Sequence, residues 1–578
     1  MLLKLIGFKG ELPSVQPRLL PDAYAKFAFD SKLNDGSLKS FRKSRSVTAL
    51  ALGTIYKTIN LFGVTWRGWG ADVDAVPAPV ASDRLYITGD GAPKMISGGV
   101  TYPLALAEPT TKLTASVSGT ASSDFGSTRL YVYTWVTAFD EESAPCPVSD
   151  SIYWKPSQTV TLSGFASPPV GRNINRQRIY RAHTSTTGTK LYFIAERSAS
   201  SENFTDSVAV DGFAEELPSL YYSTPLSTLS GLTAMPNGMM AAFSGKELYF
   251  CEPFKPHAWP DSYSLTCDYE IVGLGSFGSS LAVLTKGNPY LVSGTSPDSM
   301  IMEKLEINLP CINSRSIQDL GYAIAYASYD GLVMVSSSGA NVVTSGIFNR
   351  EEWNKLNPST FSTGQRDSRY FAAYSYVDGD EGLKQGTLII DTSGEQPFII
   401  RTSIYPSAFF YDLVSGALYY VVDNGIYEWD AVGKPYNVQA WRSKEFILPK
   451  PANFGVIYID SDDAMNADEI AALNQQAQEA RDYNASMALL ADEGCLNGSE
   501  VNNYVISGDI MIPIPEISYD GSVRIYADGK LVATVSKFNK AVRLPAGFLA
   551  RKIEVEYVGT LPIQQIDIAR TGTELAGV

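Results

Sequence analysis

Between Gly238 and Trp429 apolar and polar positions alternate in short runs, each followed by a tight turn and a second alternating run. The copies are GMMAAFSGKELYF (238–250), GSSLAVLTKGNPYLVSG (278–294), GYAIAYASYDGLVMVSS (321–337), RYFAAYSYVDGDEGLKQGTLIID (369–391) and SGALYYVVDNGIYEWD (415–430). A period of two is the signature of a strand, and SGKE, TKGN, YDG and DNG supply the Gly, Asn and Asp that hairpin turns require. The copies recur at roughly 40 residues, the interval at which repeated units form propeller blades or similar arrays. One blade cannot bury its own faces, whereas several in a ring can. The pattern therefore predicts β-propeller blades over residues 226–450. DRLYITGDGAPKMI (83–96) has the same texture, so the propeller is expected to be discontinuous in sequence.

Residues 1–106 read as an N-terminal arm followed by the first propeller strands. LPSVQPRLLPDAYAKFAF (12–29) holds three prolines that interrupt regular structure. A turn at Asp35–Gly36 then precedes a local basic run of Lys39, Arg42, Lys43 and Arg45. At 107–119 the texture becomes rich in Thr and Ser. Residues 107–225 read as an inserted β-sandwich, with strands in RLYVYTWVTAFDEESAPCPVSD (129–150), VTLSGF (160–165), NRQRIYRAHT (175–184) and KLYFIAERSAS (190–200). Residues 451–578 read as a C-terminal β-domain carrying one long helix over 467–493. That helix is opened by a capping box of Asn466 and Glu469 and stopped near Gly494. Ile470, Leu473, Ala477, Ala480, Met487 and Leu490 form a thin apolar stripe suited to one packing surface. The ADGK turn in SVRIYADGKLVATVSK marks a further hairpin.

Composition supports a folded, mainly β chain: 578 residues, 45% hydrophobic, 19% charged, with 47 Gly and 33 Tyr. A formal net charge of −15 argues against a protein that grips nucleic acid, because such a surface needs clustered Lys and Arg. It is compatible with a wall that DNA slides past. No apolar run is long enough for a membrane-spanning helix, and the first residues, MLLKLIGFKGELPS, carry too short an apolar run for a signal peptide to be expected. The five cysteines are scattered and read as free thiols.

Candidate chemistry is sparse. His183 and His257 have no Cys or His at ligand spacing. Gly273, Gly275 and Gly278 spell G-x-G-x-x-G, but SSLAVL after them reads as a strand and not as the helix a dinucleotide site requires. Asp378, Asp380 and Glu381, and Asp460, Asp462 and Asp463, cluster in single loops, unlike the opposed carboxylates of a glycosidase. No cofactor, metal or catalytic residue is assigned, and the expectation is a non-enzyme.

The opening FKGELPSVQPRLLPDAYAKFAFDSKLNDGSLKSFRKS (8–44) resembles the start of a family of virion structural proteins from short-tailed bacteriophages, the tail nozzle or tail tubular proteins. SAPCPVS, GRNINRQRIYR and WRSKEFILPKPANFG look similar to the same family, and YTWVTAFDEESAPCPVS resembles the central strand of a fibronectin type III domain. The expected fold is thus a β-propeller core with a fibronectin type III-like insertion and a C-terminal β-domain. The resemblance implies a homo-oligomer of six copies in the virion tail, assembled in the host cytoplasm. Genome DNA would leave through the ring, an adaptor protein would sit above it, and fibres or spikes would dock around it. Arg18, Arg42, Lys43, Arg45, Ile470, Leu473, Ala477 and Met487 are the candidate intersubunit or adaptor contacts, because the arm and the helix pack poorly alone. The alternative is a receptor- or glycan-binding tail protein, hydrolytic or not, that uses the propeller's loop face.

Overall fold

The computed structural model describes residues 2–77, 79–185, 188–208, 215–379, 382–392, 397–461, 467–493, 514 and 521–576. The chain is mainly β and is laid out as many small sheets. Seven antiparallel arrays succeed one another from residue 58 to residue 428, called sheets 1 to 7 here. Sheet 1 is the hairpin Thr58–Phe62 with Thr65–Trp69. Sheet 2 starts at Asp74–Pro77, sheet 3 at Ser230–Ala234, sheet 4 at Ile271–Phe277 and sheet 5 at Gln318–Asp319, each a four-stranded meander. Sheet 6 starts at Ser362–Arg366. Sheet 7 starts at Ala408–Asp412 and takes its fourth strand, Arg45–Ala49, from the N-terminal region.

The alternation that marks these strands divides side chains between two neighbouring cores, and not between core and water. In Ile324–Ser328 every residue is buried. Ile324 and Tyr326 pack with Leu284 of sheet 4, while Ala325 and Ala327 pack with Tyr370 and Leu388 of sheet 6. Sheets 3 and 4 share Leu248 and Leu281, and sheets 2 and 3 share Tyr86 and Met240. Sheets 1 and 2 meet at Trp69 and Leu85, sheets 6 and 7 at Phe371 and Leu418, and sheet 7 returns to sheet 1 through Val421 and Ile59. The succession of contacts ends where it began. Two glycines let the sheets approach: a Cβ on Gly273 would stand 2.3 Å from Ile317, and one on Gly275 would stand 2.8 Å from Ile324.

The predicted hairpins at 238–250, 278–294, 321–337, 369–391 and 415–430 all form. The ADGK turn closes Gly521–Ala527 onto Lys530–Val535, with Asp528 and Gly529 at φ of 46° and 80°. Both central residues thus have the positive φ that a type I′ turn demands.

Between sheets 2 and 3 the chain leaves to build a separate core. Thr114–Ser118, Thr159–Ser163 and Phe204–Asp206 form one sheet, and Tyr131–Thr137, Ile174–Ser185 and Gly188–Ser198 form another. Val160 and Leu162 from the first meet Tyr131, Tyr133, Trp135 and Ile179 from the second.

The N-terminal arm is irregular where its prolines fall, with turns and bends over residues 12–24, and it is anchored to the rest of the chain on both sides of that stretch. Leu2–Leu5 pairs with Gln565–Ala569, and Ala25–Phe29 lies between Phe398–Thr402 of sheet 6 and Gln439–Ser443. The physical reason is burial: Leu5, Phe8, Leu20, Tyr24, Ala25 and Ala28 are enclosed in a core with Trp441, Ile457, Val523 and Ile553. Through Ala25–Phe29, sheet 6 continues into the C-terminal region as one ten-stranded sheet. Ala467–Glu493 is helical, as its composition predicts. Asn466, Gly494 and the expected strand around 504–516 lie outside the described residues, apart from Ile514.

Candidate functional site

The first strands of all seven sheets line one cavity of about 430 Å³, with Thr58, Asp74, Gly231, Gly273, Gln318, Thr363 and Phe409 each contributed by a different sheet. Its charged groups are Lys57, Asp72, Asp74 and Arg315. Asp72 and Asp74 flank Val73, so the pleat sends both carboxylates toward one side. Asp74 accepts the Gly231 N–H at 2.9 Å, which ties sheet 2 to sheet 3. Burial pushes the Asp74 carboxyl up to about 6; the Gly231 N–H opposes the rise and the Asp72 charge adds to it. Asp72 accepts the Ser314 hydroxyl at 3.2 Å and stands 3.7 Å from Arg315 Nε. Arg315 also donates to the Ser407 carbonyl of the segment leading into sheet 7, and burial pulls its pKa below the usual arginine value. Gln318 Nε2 donates to Thr363 Oγ1 at 3.0 Å across sheets 5 and 6. The cavity is polar, with charges of both signs bonded to its own wall. Such a lining holds the sheets in register and offers mixed donors and acceptors to a small polar guest.

Asp72, Asp74 and Arg315 were not singled out by sequence reasoning. The usable signal was D-x-D immediately before a first strand, which becomes informative only once the first strands are known to converge.

The sequence-predicted contact residues fall in three places. Arg18 and Lys43 are exposed. Arg45 lies on the outer strand of sheet 7 and pairs with Glu428 of the adjacent strand, its Nε 3.0 Å from the carboxylate. Arg42 lies over the Tyr436 ring at 5.3 Å, and its backbone N–H donates to Asp430 at 2.7 Å. On the helix, Ala477 and Ala480 are buried, while Gln475 pairs with Glu479 and Gln478 with Asp482, each at 2.8 Å, along an exposed face. The side chains of Ile470, Leu473 and Met487 lie outside the described residues. The structure thus brings Arg42 and Arg45 to partners within the chain.

The remaining candidates resolve individually. G-x-G-x-x-G lies along Ile271–Phe277 and its turn, followed by the strand Ser280–Thr285, so Gly273 and Gly275 serve sheet packing and Gly278 the turn, at φ of 55°. Asp378 pairs with Lys355 at 2.7 Å; Asp380, Glu381, Asp462 and Asp463 lie outside the described residues. His257 is buried against the sandwich, with Nε2 donating to the Glu142 carbonyl at 3.0 Å. Cys146, Cys251, Cys267 and Cys311 are buried free thiols; Cys495 is outside the described residues. Among the described residues, no group of three or more His, Cys, Asp or Glu is arranged to hold a metal ion, and no helix is long and apolar enough to cross a membrane.

No family model matches the chain, and no curated protein matches it. Among solved structures, Hsv2 of K. marxianus aligns at 10% identity and a TM-score of 0.24, over 46% of this chain and 69% of that one. The extracellular domain of a hybrid two component system from B. thetaiotaomicron aligns at 9% identity and a TM-score of 0.26, over 73% of this chain and 43% of that one. The N-terminal domain of Nup159 aligns at 11% identity and a TM-score of 0.23, over 42% of this chain and 67% of that one. At these scores none of the three assigns a fold or a function to this chain.

Proposed function

We propose that this chain is a structural component of a short bacteriophage tail, in which sheets 1 to 7 are the blades of a β-propeller and residues 107–225 a fibronectin type III-like module. In this reading six copies form a nozzle ring through which genome DNA leaves, with an adaptor above and fibres or spikes around it. The observation that carries the reading is the ten-stranded sheet that runs from sheet 6 through Ala25–Phe29 into the C-terminal region. Ala25–Phe29 pairs with Gln439–Ser443 on one side and meets sheet 6 through Phe29 and Arg401 on the other, so backbone hydrogen bonds tie the two parts together, as a conduit under load requires. The segment that makes this join lies within residues 8–44, which carry the resemblance to tail nozzle proteins. A net charge of −15 suits a wall that DNA passes without sticking.

Electron microscopy of the purified protein or of virions tests the proposal. A six-fold ring around a duplex-sized hole supports it; a monomer at all concentrations, or a trimer, overturns it. Deleting residues 1–45 should abolish ring formation.

A second reading, a receptor- or glycan-binding tail protein, is favoured by a cavity of about 600 Å³ lined by Tyr405, Tyr420, Tyr427, Gln385 and Asp423. Aromatic faces beside amide and carboxylate groups suit sugar rings. Binding or turnover of host polysaccharide by the purified chain, lost on Tyr405→Ala, would favour this reading over the nozzle.

A further inference from the structure

A third cavity, of about 370 Å³, lies where the hairpin of Ser31–Lys32 with Lys39–Ser40 meets residues 430–436 and 560–562. Its charged lining is Lys32, Lys39, Arg42, Asp35 and Asp430, three cations against two carboxylates, in a chain whose net charge is −15. Both carboxylates are already engaged. Asp430 accepts Lys32 Nζ at 2.8 Å and the Arg42 backbone N–H at 2.7 Å. Asp35 pairs with Lys39 and accepts the Ser37 hydroxyl at 2.5 Å and the Ser37 N–H at 3.1 Å.

The Arg42 guanidinium has no carboxylate partner among the described residues. It rests over the Tyr436 ring, with Nη2 3.5 Å from the Tyr436 hydroxyl. Stacking orients the planar fork without neutralising it, and a half-buried fork of this kind is matched by two oxygens of a tetrahedral oxyanion. Ser40 and Asn34 add neutral hydrogen-bonding groups to the same wall.

We propose that this cavity binds a phosphate oxyanion, with Arg42 as its principal ligand and Lys32 and Lys39, each held by its carboxylate, offering further N–H donors. The phosphate can be a free anion or part of a nucleic-acid backbone, and the chemistry of recognition is the same. The site does not depend on the tail reading, so either can fail alone.

Isothermal titration of the full chain with sodium phosphate, against sodium chloride at matched ionic strength, tests the site. Wild type and Arg45→Gln, whose guanidinium is paired with Glu428 away from the cavity lining, should show saturable phosphate binding. Arg42→Gln and Lys39→Gln should bind about tenfold more weakly or not at all. Should Arg42→Gln melt early, Arg42→Lys keeps the charge, loses the fork, and should still weaken binding. Anisotropy of a labelled short duplex separates the sources. Displacement of duplex by phosphate, lost in Arg42→Gln, identifies a backbone phosphate; phosphate binding without duplex binding identifies a free anion. Absence of saturable binding by wild type, equal binding by Arg42→Gln, or acetate binding as tightly as phosphate overturns the proposal.

Discussion

His257 Nε2 lies 3.0 Å from the carbonyl oxygen of Glu142, a hydrogen bond that joins a loop of sheet 3 to the sandwich. Its Nδ1 has no hydrogen-bond partner among the described residues and stands 3.9 Å from Glu141 Oε1, with Arg172 paired to the same carboxylate at 2.8 Å. Burial lowers the imidazole to about 4; Glu141 and the Glu142 carbonyl oppose that shift, and Arg172 and Lys255 reinforce it. A His whose pKa is 6.5 unfolded and about 4 folded binds its proton more readily when unfolded. Stability from this residue is therefore complete above pH 6.5, declines as pH falls, and is fully lost below about 4. The span is worth on the order of 3 kcal/mol. Asp30 and Asp74, raised to about 6 by burial, slope the opposite way between 6 and their ordinary carboxylate range. Urea melts from pH 8 to 4 on wild type and His257→Gln should thus give a stability difference that shrinks on acidification; a constant difference refutes the assignment.

Arg369 and Asp391 form a buried pair at 2.7 Å, opposite one another in the two central strands of sheet 6. Asp391→Ala strands a buried guanidinium and should cost about 3–5 kcal/mol, whereas Arg369→Met with Asp391→Leu should cost far less. Equilibrium denaturation of the three chains checks this ordering.

A Cβ on Gly275 would stand 2.8 Å from three carbons of Ile324, the contact by which sheet 4 meets sheet 5. Gly275→Ala should destabilise by about 1–3 kcal/mol through overpacking. Combined with Ile324→Ala the loss should be less than the sum of the two, since the smaller neighbour frees the space. Strict additivity in denaturation experiments would place the two residues out of contact.

How much of this was legible in the sequence follows from what each residue reports. The hairpins were readable because Asp423, Gly245 and Asp528–Gly529 announce turns and the flanking runs keep a period of two. The two-core packing was not, because alternation of Ile324 and Tyr326 with Ala325 and Ala327 reads the same whether the second face meets water or another sheet. Prolines at 13, 17 and 21 signalled the irregular chain that is found there, but the anchoring of the segment was hidden, because the burial of Phe8 and Tyr24 depends on Trp441 more than four hundred residues away. Asp72, Asp74 and Arg315 converge only once the sheets are arranged in succession, and no local pattern records that.

Burial pushes the Cys146 and Cys267 thiols up to about 11 and those of Cys251 and Cys311 up to about 12. Thiolate is the reactive form, so these four should resist Ellman's reagent at pH 8 in the native chain and react at once in denaturant. Rapid native labelling of Cys251 or Cys311, mapped by mass spectrometry, would contradict their enclosure.

A Cβ on Gly10 would fall 2.2 Å from the Ile399 carbonyl oxygen, a backbone atom that cannot swing aside. Gly10→Val should loosen residues 1–29 from their sheets, and limited proteolysis should then cut near the N-terminus of the variant but not of the wild type.

The fourth strand of sheet 7 is made of residues 45–49, and its three companions span 408–428. Nearly four hundred residues must therefore be synthesised before that ladder can close, a separation that slows folding. Until then the early strand has no partner and offers an open edge to any other nascent chain nearby. The clasp that secures the finished molecule makes its manufacture a matter of timing: chains crowded on one message risk lending their strand to a neighbour.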